Sequence, residues 1–234
     1  MQTIDFRYFP LALNDVVLDL GCGEGRHCIN AYLHENVMAI GVDLSFRDLQ
    51  ITADKFKPFV SADHQGGFYL QQVNATHLPF ADASIDKIIC SEVLEHIENY
   101  CAILAEMNRV LKPNGLLAIS VPRYWPEKIC WWLSDAYHQV QGGHIRIFKA
   151  KALKREIIDR GFCFYKRHWA HALHVPYWWL KCLFWKSQDN SRLIKLYHRL
   201  LVWDLMQKPW LTQTLEKWLN PLIGKSVVMY FVKQ

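Results

Sequence analysis

The residues of this 234-residue chain that can do chemistry sit in short runs at the ends of apolar segments. The first is Asp19-Leu20-Gly21-Cys22-Gly23-Glu24-Gly25, directly after Val16-Val17-Leu18 and before a helix-like stretch. Gly21 and Gly23 accept backbone angles and close approaches that a Cβ forbids, so a ligand can lie against the main chain there. The helix that follows offers unpaired N–H groups. A Gly-x-Gly-x-Gly turn is also compatible with a purely structural bend. Its spacing differs from the Gly-x-Gly-x-x-Gly of dinucleotide folds, which disfavours a nucleotide-dependent oxidoreductase.

Two further runs narrow the ligand. Asp43, in Gly41-Val42-Asp43-Leu44-Ser45, follows the glycines by about 20 residues, where a carboxylate can accept both hydroxyls of a ribose. Alone, Asp43 reads as a helix N-cap; beside the glycine turn it points to a nucleoside. Asn74, in Asn74-Ala75-Thr76-His77-Leu78-Pro79-Phe80, can accept from an exocyclic amino group or serve as a polar turn residue.

Groups suited to proton transfer lie downstream. His144, in Gly142-Gly143-His144-Ile145-Arg146, follows two glycines and precedes a strand-like Ile145 to Phe148, which predicts a loop over the pocket. His96 is the second candidate base. Glu92, Glu95 and His96 share one face if Glu92 to Leu111 is helical, a geometry that can hold a divalent cation. Acids in a first helical turn are favoured by the dipole in any case, and no metal ligand is assigned.

These groups need a frame. Apolar runs at Val16 to Leu20, Val37 to Val42, Gly67 to Val73, Ile85 to Cys90 and Leu116 to Val121 alternate with helix-like segments, the pattern of a parallel α/β sheet. The periodic Val93, Ile97, Leu104 and Val110 predict a helix over Glu92 to Leu111, stopped by Lys112-Pro113-Asn114-Gly115. Ala150 to Arg160 predicts another helix ending at Gly161, and Phe162 to Arg167 and Val227 to Val232 the last two strands. The expected fold is a doubly wound, seven-stranded, mostly parallel sheet. Residues 1–167 and 226–234 would form the binding domain, and 168–225 an aromatic helical insertion before the last strand.

Composition excludes several classes. The seven cysteines contain no Cys-x-x-Cys pair, against both a disulfide framework and a structural zinc site, and a reducing cytoplasmic setting is expected. Met1 to Pro10 holds no apolar run of signal-peptide length. Val175 to Trp185 is far shorter than the ~20 residues of a membrane span and is interrupted by Lys181. The formal net charge of +5 forms no basic stripe, and tryptophan accompanies the basic residues, so no nucleic-acid partner is expected.

Taken in order, Val17-Leu18-Asp19-Leu20-Gly21-Cys22-Gly23-Glu24-Gly25, Asp43, Asn74 to Phe80, Ser91-Glu92-Val93-Leu94-Glu95-His96-Ile97 and Leu111-Lys112-Pro113-Asn114-Gly115 resemble successive motifs of the class I S-adenosylmethionine-dependent methyltransferases. The resemblance spans Val16 to Phe164 and is closest to enzymes acting on quinones and other lipophilic small molecules. It implies that Asp19 and the backbone of Gly21, Cys22 and Gly23 hold the amino-acid end of S-adenosylmethionine. It implies further that Asp43, with Leu44 beside it, holds the ribose, Asn74 and Ala75 the adenine, and that Ser91 touches the cofactor. The family more often carries Asp where Asn74 stands, which removes charge assistance from the adenine contact.

The implied reaction is in-line methyl transfer to a small, lipophilic or aromatic acceptor, with His144 or His96 as base if the acceptor is protonated. The alternative is a non-catalytic cofactor-binding or membrane-docking protein of the same fold. Trp125, Trp131, Trp132, Tyr177, Trp178, Trp179, Phe184 and Trp185 either roof an apolar pocket or fill a small core of their own. Trp185, Trp203 and Trp210 with Lys186, Arg192, Lys195 and Arg199 suit peripheral contact with a membrane.

Overall fold

Five strands, β1 (Val16–Leu20), β2 (Met38–Asp43), β3 (Gly67–Gln72), β4 (Ile85–Ser91) and β5 (Leu111–Pro122), run parallel, and β6 (Phe162–Ala170) shares their direction. Only β7 (Ser226–Lys233) is reversed, wedged antiparallel between β5 and β6 in the order β3-β2-β1-β4-β5-β7-β6. The computed structural model describes residues 2–60, 64–140, 142–188 and 190–234. Nine α-helices lie among them: α1 (Arg26–His34), α2 (Phe46–Phe56), α3 (Tyr100–Val110), α4 (Tyr124–Leu133), α5 (Asp135–Gln139), α6 (Ala150–Ile158), α7 (His174–Leu183), α8 (Arg192–Gln207) and α9 (Trp210–Ile223).

The period of two in the strands divides the core between two layers. Leu18, Leu20, Ile88 and Cys90 pack with Ile103, Leu104 and Met107 of α3 and Leu153 and Ile157 of α6. Their neighbours Val17, Ala39, Ile89, Val228 and Tyr230 pack on the opposite face with Ala31 and Tyr32 of α1 and with Ile4, Phe6 and Phe9. Both faces are covered, so the strands are apolar throughout rather than alternating. All parallel strands therefore end at one edge, where Leu20, Asp43, Ser91 and Pro122 deliver the chain into the loops that build the site.

Three sequence expectations change. The helix expected over Glu92 to Leu111 breaks into a 3-10 turn, Leu94–His96, and α3, because Glu92 takes φ 58° and the Asn99 side chain caps α3 by accepting from Ala102 N–H. β5 begins at Leu111 rather than Leu116, and the end of α3 is secured by Lys233 Nζ, which donates to the carbonyls of Asn108 and Leu111 at 2.6 and 2.8 Å. Ile145 to Phe148 form no strand; the loop is tied down by Ile145 N–H donating to Glu95 O at 3.0 Å. Gly161, at φ 89°, terminates the α6 region as its position predicts.

Candidate active site

The turn after β1 holds three glycines in left-handed conformations, Gly21, Gly23 and Gly25. Gly21, at φ 70°, leaves no room for a Cβ, which would lie 2.4 Å from Val93 Cγ2. Gly23, at φ 50°, is the opposite case: a Cβ there meets nothing within 4 Å among the described residues, so its bare Cα faces open space. Gly21 and Cys22 N–H donate to Val42 O at 2.8 and 3.0 Å, clamping the turn to the end of β2.

Asp43 completes that clamp. Its Oδ2 accepts from Gly23 N–H and its Oδ1 from Ser45 N–H, both at 2.8 Å, and each oxygen keeps a further lone pair for a ligand. The carboxylate thus fixes the turn and remains able to accept hydroxyl groups. A cavity of about 690 Å³ opens on the glycine turn, lined by Gly21, Cys22, Gly23, Arg26, Ser91 and Glu92 among others; Asp43 reaches it through its bond to Gly23 and is not part of its lining.

Asp19 lies beneath the turn. It is 1% exposed, its Oδ2 accepts from Cys28 N–H at 3.0 Å, and burial pushes its carboxyl up to about 7. It satisfies an orphan donor at the start of α1 and holds helix to turn. Leu44 is exposed, with its carbonyl accepting from Gln72 Nε2. Asn74 follows β3 next to Asp43, since Val73 N–H donates to Asp43 O, and its Oδ1 accepts from Thr76 N–H and Oγ1 at 3.1 and 2.9 Å. Ala75 packs against the core.

A polar chain crosses the strand ends. Ser91 Oγ donates to Ser120 Oγ at 2.8 Å, Ser120 Oγ donates to Glu92 Oε1 at 2.9 Å, and Lys225 Nζ stands 3.6 Å from Glu92 Oε2. Glu92 adopts its strained φ to reach this chain, so it does not share a helix face with Glu95 and His96. The donors that do converge are Glu95, His96 and His144, within 4.8 Å of one another.

Glu95 is fully buried, and neither carboxylate oxygen has a partner among the described residues. Burial, then the Glu92 charge, pushes its proton affinity well above the ordinary value of 4.5. Stability from such a raised acid is complete below the unfolded value and is lost as pH climbs. Glu95→Gln, which cannot ionise, is therefore expected to raise Tm at about pH 8 and to change it little at about pH 4, as read by calorimetry.

His144 is held by a buried acid. Its Nδ1–H donates to Glu127 Oε1 at 2.6 Å, and Glu127 also accepts from Trp131 Nε1 at 3.1 Å and Tyr137 OH at 3.3 Å. Burial works to raise Glu127, but the His144 hydrogen bond and charge outweigh it and hold the carboxylate below its usual range. An ionised carboxylate only accepts, so the proton stays on Nδ1 and the Nε2 lone pair is free. His96 stacks edge-on to His144 with ring centres 4.9 Å apart, and burial, then His144, lowers its proton affinity.

Sequence reasoning missed Glu127, Ser120 and Lys225. Glu127 had a signal, being the sole acid in the Trp-rich run Tyr124–Leu133. Ser120 and Lys225 had none, because only strand pairing brings them to Glu92. The tryptophans form a compact cluster: Cys130, Tyr137 and Cys182 pack with Trp131, Trp178, Trp179 and Trp185, leaving a cavity of only about 10 Å³.

The model of a methyltransferase domain family matches residues 3–165. The chain belongs to that family. Among its relatives, 27-O-demethylrifamycin SV methyltransferase of Amycolatopsis mediterranei is 31% identical over 110 residues, covering 47% of this chain and 39% of the relative. Demethylmenaquinone methyltransferase of Staphylococcus haemolyticus is 35% identical over 102 residues, covering 43% and 40%. The matched stretches thus span about two fifths of these relatives' own length. Geranyl diphosphate methyltransferase in complex with its cofactor superposes with a TM-score of 0.64 at 14% identity, over 97% of this chain and 81% of that one. The cofactor of the family is S-adenosylmethionine, and the open space at Gly23, with the Asp43 carboxylate bonded to Gly23 N–H, is compatible with a ligand lying against the turn.

Proposed function

We propose that the chain transfers a methyl group to a hydroxyl of a small, lipophilic acceptor, with His144 as general base. The observation that carries this reading is the 2.6 Å Glu127–His144 hydrogen bond. Bound S-adenosylmethionine supplies an electrophilic methyl on a sulfonium. His144 Nε2 would take the proton of the acceptor hydroxyl and so leave its oxygen able to attack the methyl that the cofactor would supply. Glu127 stabilises the imidazolium that results. Asp43 and the backbone of Gly21 to Gly23 bind the cofactor, Asn74 and Ala75 flank its adenine end, and Ser91 meets it from β4. The names of the relatives support a lipophilic acceptor, and those that specify the methylated atom support oxygen: one methylates a 27-O-demethylrifamycin and another is an O-methyltransferase, whereas the demethylmenaquinone enzyme's name supports the lipophilic skeleton alone. Mass spectrometry of small molecules retained on the purified chain tests this; an apolar hydroxyl compound is expected, and recovery of an amine or a nucleic acid would contradict it.

The helices between β6 and β7 support delivery of that acceptor from a membrane surface. α9 has no buried side chain, and Leu211, Leu215, Trp218 and Leu222 form one exposed stripe along it, Trp218 at 77%. Leu196, Leu200 and Trp203 extend the apolar surface onto α8. Residues 168–225 hold eight Lys and Arg against three Asp and Glu, a surplus that equals the whole chain's +5. Among the described residues no helix is long and apolar enough to cross a membrane, so the contact is with one leaflet. The chain is expected to sediment with phosphatidylglycerol vesicles and less with phosphatidylcholine, and Leu215→Glu/Trp218→Glu to stay in the supernatant. Equal sedimentation of variant and parent would overturn the docking surface.

A further inference from the structure

A second cluster of ligating side chains lies away from the methyl-transfer groups, where β6 gives way to α7. His171 follows β6 directly, holds a left-handed φ of 67°, and is 6% exposed. A non-glycine residue in that conformation is strained, and such strain gathers at functional positions. Its Nε2 is 3.0 Å from Thr3 Oγ1, which also lies 3.5 Å from an Arg26 guanidinium nitrogen. With Nε2–H donating to Thr3, the Nδ1 lone pair of His171 points toward Glu216 of α9, 3.9 Å away. His174, at the first position of α7, brings a buried Nδ1 with no hydrogen-bond partner among the described residues. One ligand atom from each of His171, His174 and Glu216 lies within 4.8 Å of the others.

Two acids stand beside the imidazoles: Glu216, with an oxygen 3.9 Å from His171 Nδ1, and Asp204, which lines the same cavity. Asp204 is itself buried and accepts from Thr212 and Gln213. Lys225 Nζ stands 3.6 Å from Glu92, and Arg26 reaches toward Thr3. The frame is fixed as well, since Asn220, one turn beyond Glu216, accepts from Ala172 N–H at 3.0 Å.

We propose that His171, His174 and Glu216 bind a divalent transition metal of the zinc type, with Thr3 orienting His171. Two imidazoles and one carboxylate suit zinc or cobalt and not magnesium or calcium, which take all-oxygen sets. Three protein ligands leave a fourth position for water from the adjoining cavity of about 690 Å³, which Thr3, His171, His174, Asp204 and Glu216 line. The metal joins α9 to the end of β6 and the N-terminal segment, bracing the helices that carry the apolar surface against the sheet. The inference stands independently of the methyl-transfer reading.

Cobalt(II) titration of the metal-stripped chain, followed by visible absorption, tests it. One equivalent is expected to give an intense band of tetrahedral type that zinc then displaces. Glu216→Gln, which keeps the shape of the side chain, is expected to weaken binding by about tenfold or more, and His171→Ala/His174→Ala to abolish the band. His96→Ala/His144→Ala, which removes the other cluster, is expected to leave the band intact. No stoichiometric band in the parent chain, a band unchanged by Glu216→Gln, or a band lost with His96 and His144 instead, would overturn the assignment.

Discussion

Asp43→Ala is expected to weaken S-adenosylhomocysteine binding by about 100-fold or more in isothermal titration. Two effects combine. The carboxylate holds Gly23 N–H and Ser45 N–H at 2.8 Å each, so its loss loosens Gly23 while Gly21 and Cys22 stay bonded to Val42 O. It also removes the acceptors for a ribose. Hydrogen bonds to a charged group contribute about 1.5–3 kcal/mol each, and about 1.4 kcal/mol is tenfold in affinity, so losing two such bonds reaches this magnitude. Asp43→Asn keeps one acceptor and is expected to fall between the two. Asp43 lies at the surface end of its strand and not in the apolar clusters, so the variant should keep its Tm within a few degrees. An affinity unchanged by Asp43→Ala would remove the ribose assignment.

The second large effect belongs to His144. His144→Ala is expected to lower kcat for methyl transfer by about 10²–10⁴-fold, the range for loss of a positioned general base, while cofactor affinity stays the same. Glu127→Gln is expected to lower kcat as well, because an amide can present its N–H to Nδ1 and turn the ring proton to Nε2, where the lone pair is needed. Rescue by a small base separates this from a packing defect. Added imidazole is expected to restore part of the rate to His144→Ala and to leave the parent chain unchanged. Full activity in His144→Ala would assign the base elsewhere, with His96, ring centre 4.9 Å away, as the next candidate.

What could be seen in the sequence, and what could not, follows from how local each signal is. The ends of β1 and β2, with Gly21, Gly23 and Asp43, are written in contiguous residues, because the turn's backbone angles and the carboxylate's position depend on their own segments. Helix α3 was placed by its period but started too early, since the same apolar spacing continues through Val93 and Ile97 while Asn99 and the strained Glu92 set the break. The role of Glu127 depends on a loop 17 residues away returning to it, and that of Lys225 on β7 closing against β5. Neither can be read from spacing. The tryptophans were ambiguous for the same reason: whether Trp178 and Trp179 roof a pocket or pack on Cys130 and Tyr137 is decided by how α4 and α7 approach each other.

Methyl transfer itself is the central claim, and its most direct test follows radiolabel from S-[methyl-³H]adenosylmethionine into an organic extract of small molecules and lipids incubated with the purified chain. Label is expected to enter the organic phase with the parent chain, with S-adenosylhomocysteine formed in equal amount, and to stay aqueous with His144→Ala. Cofactor bound tightly by the parent chain, with no label transferred and no S-adenosylhomocysteine released across such extracts, would contradict it and leave a binding protein with a methyltransferase fold.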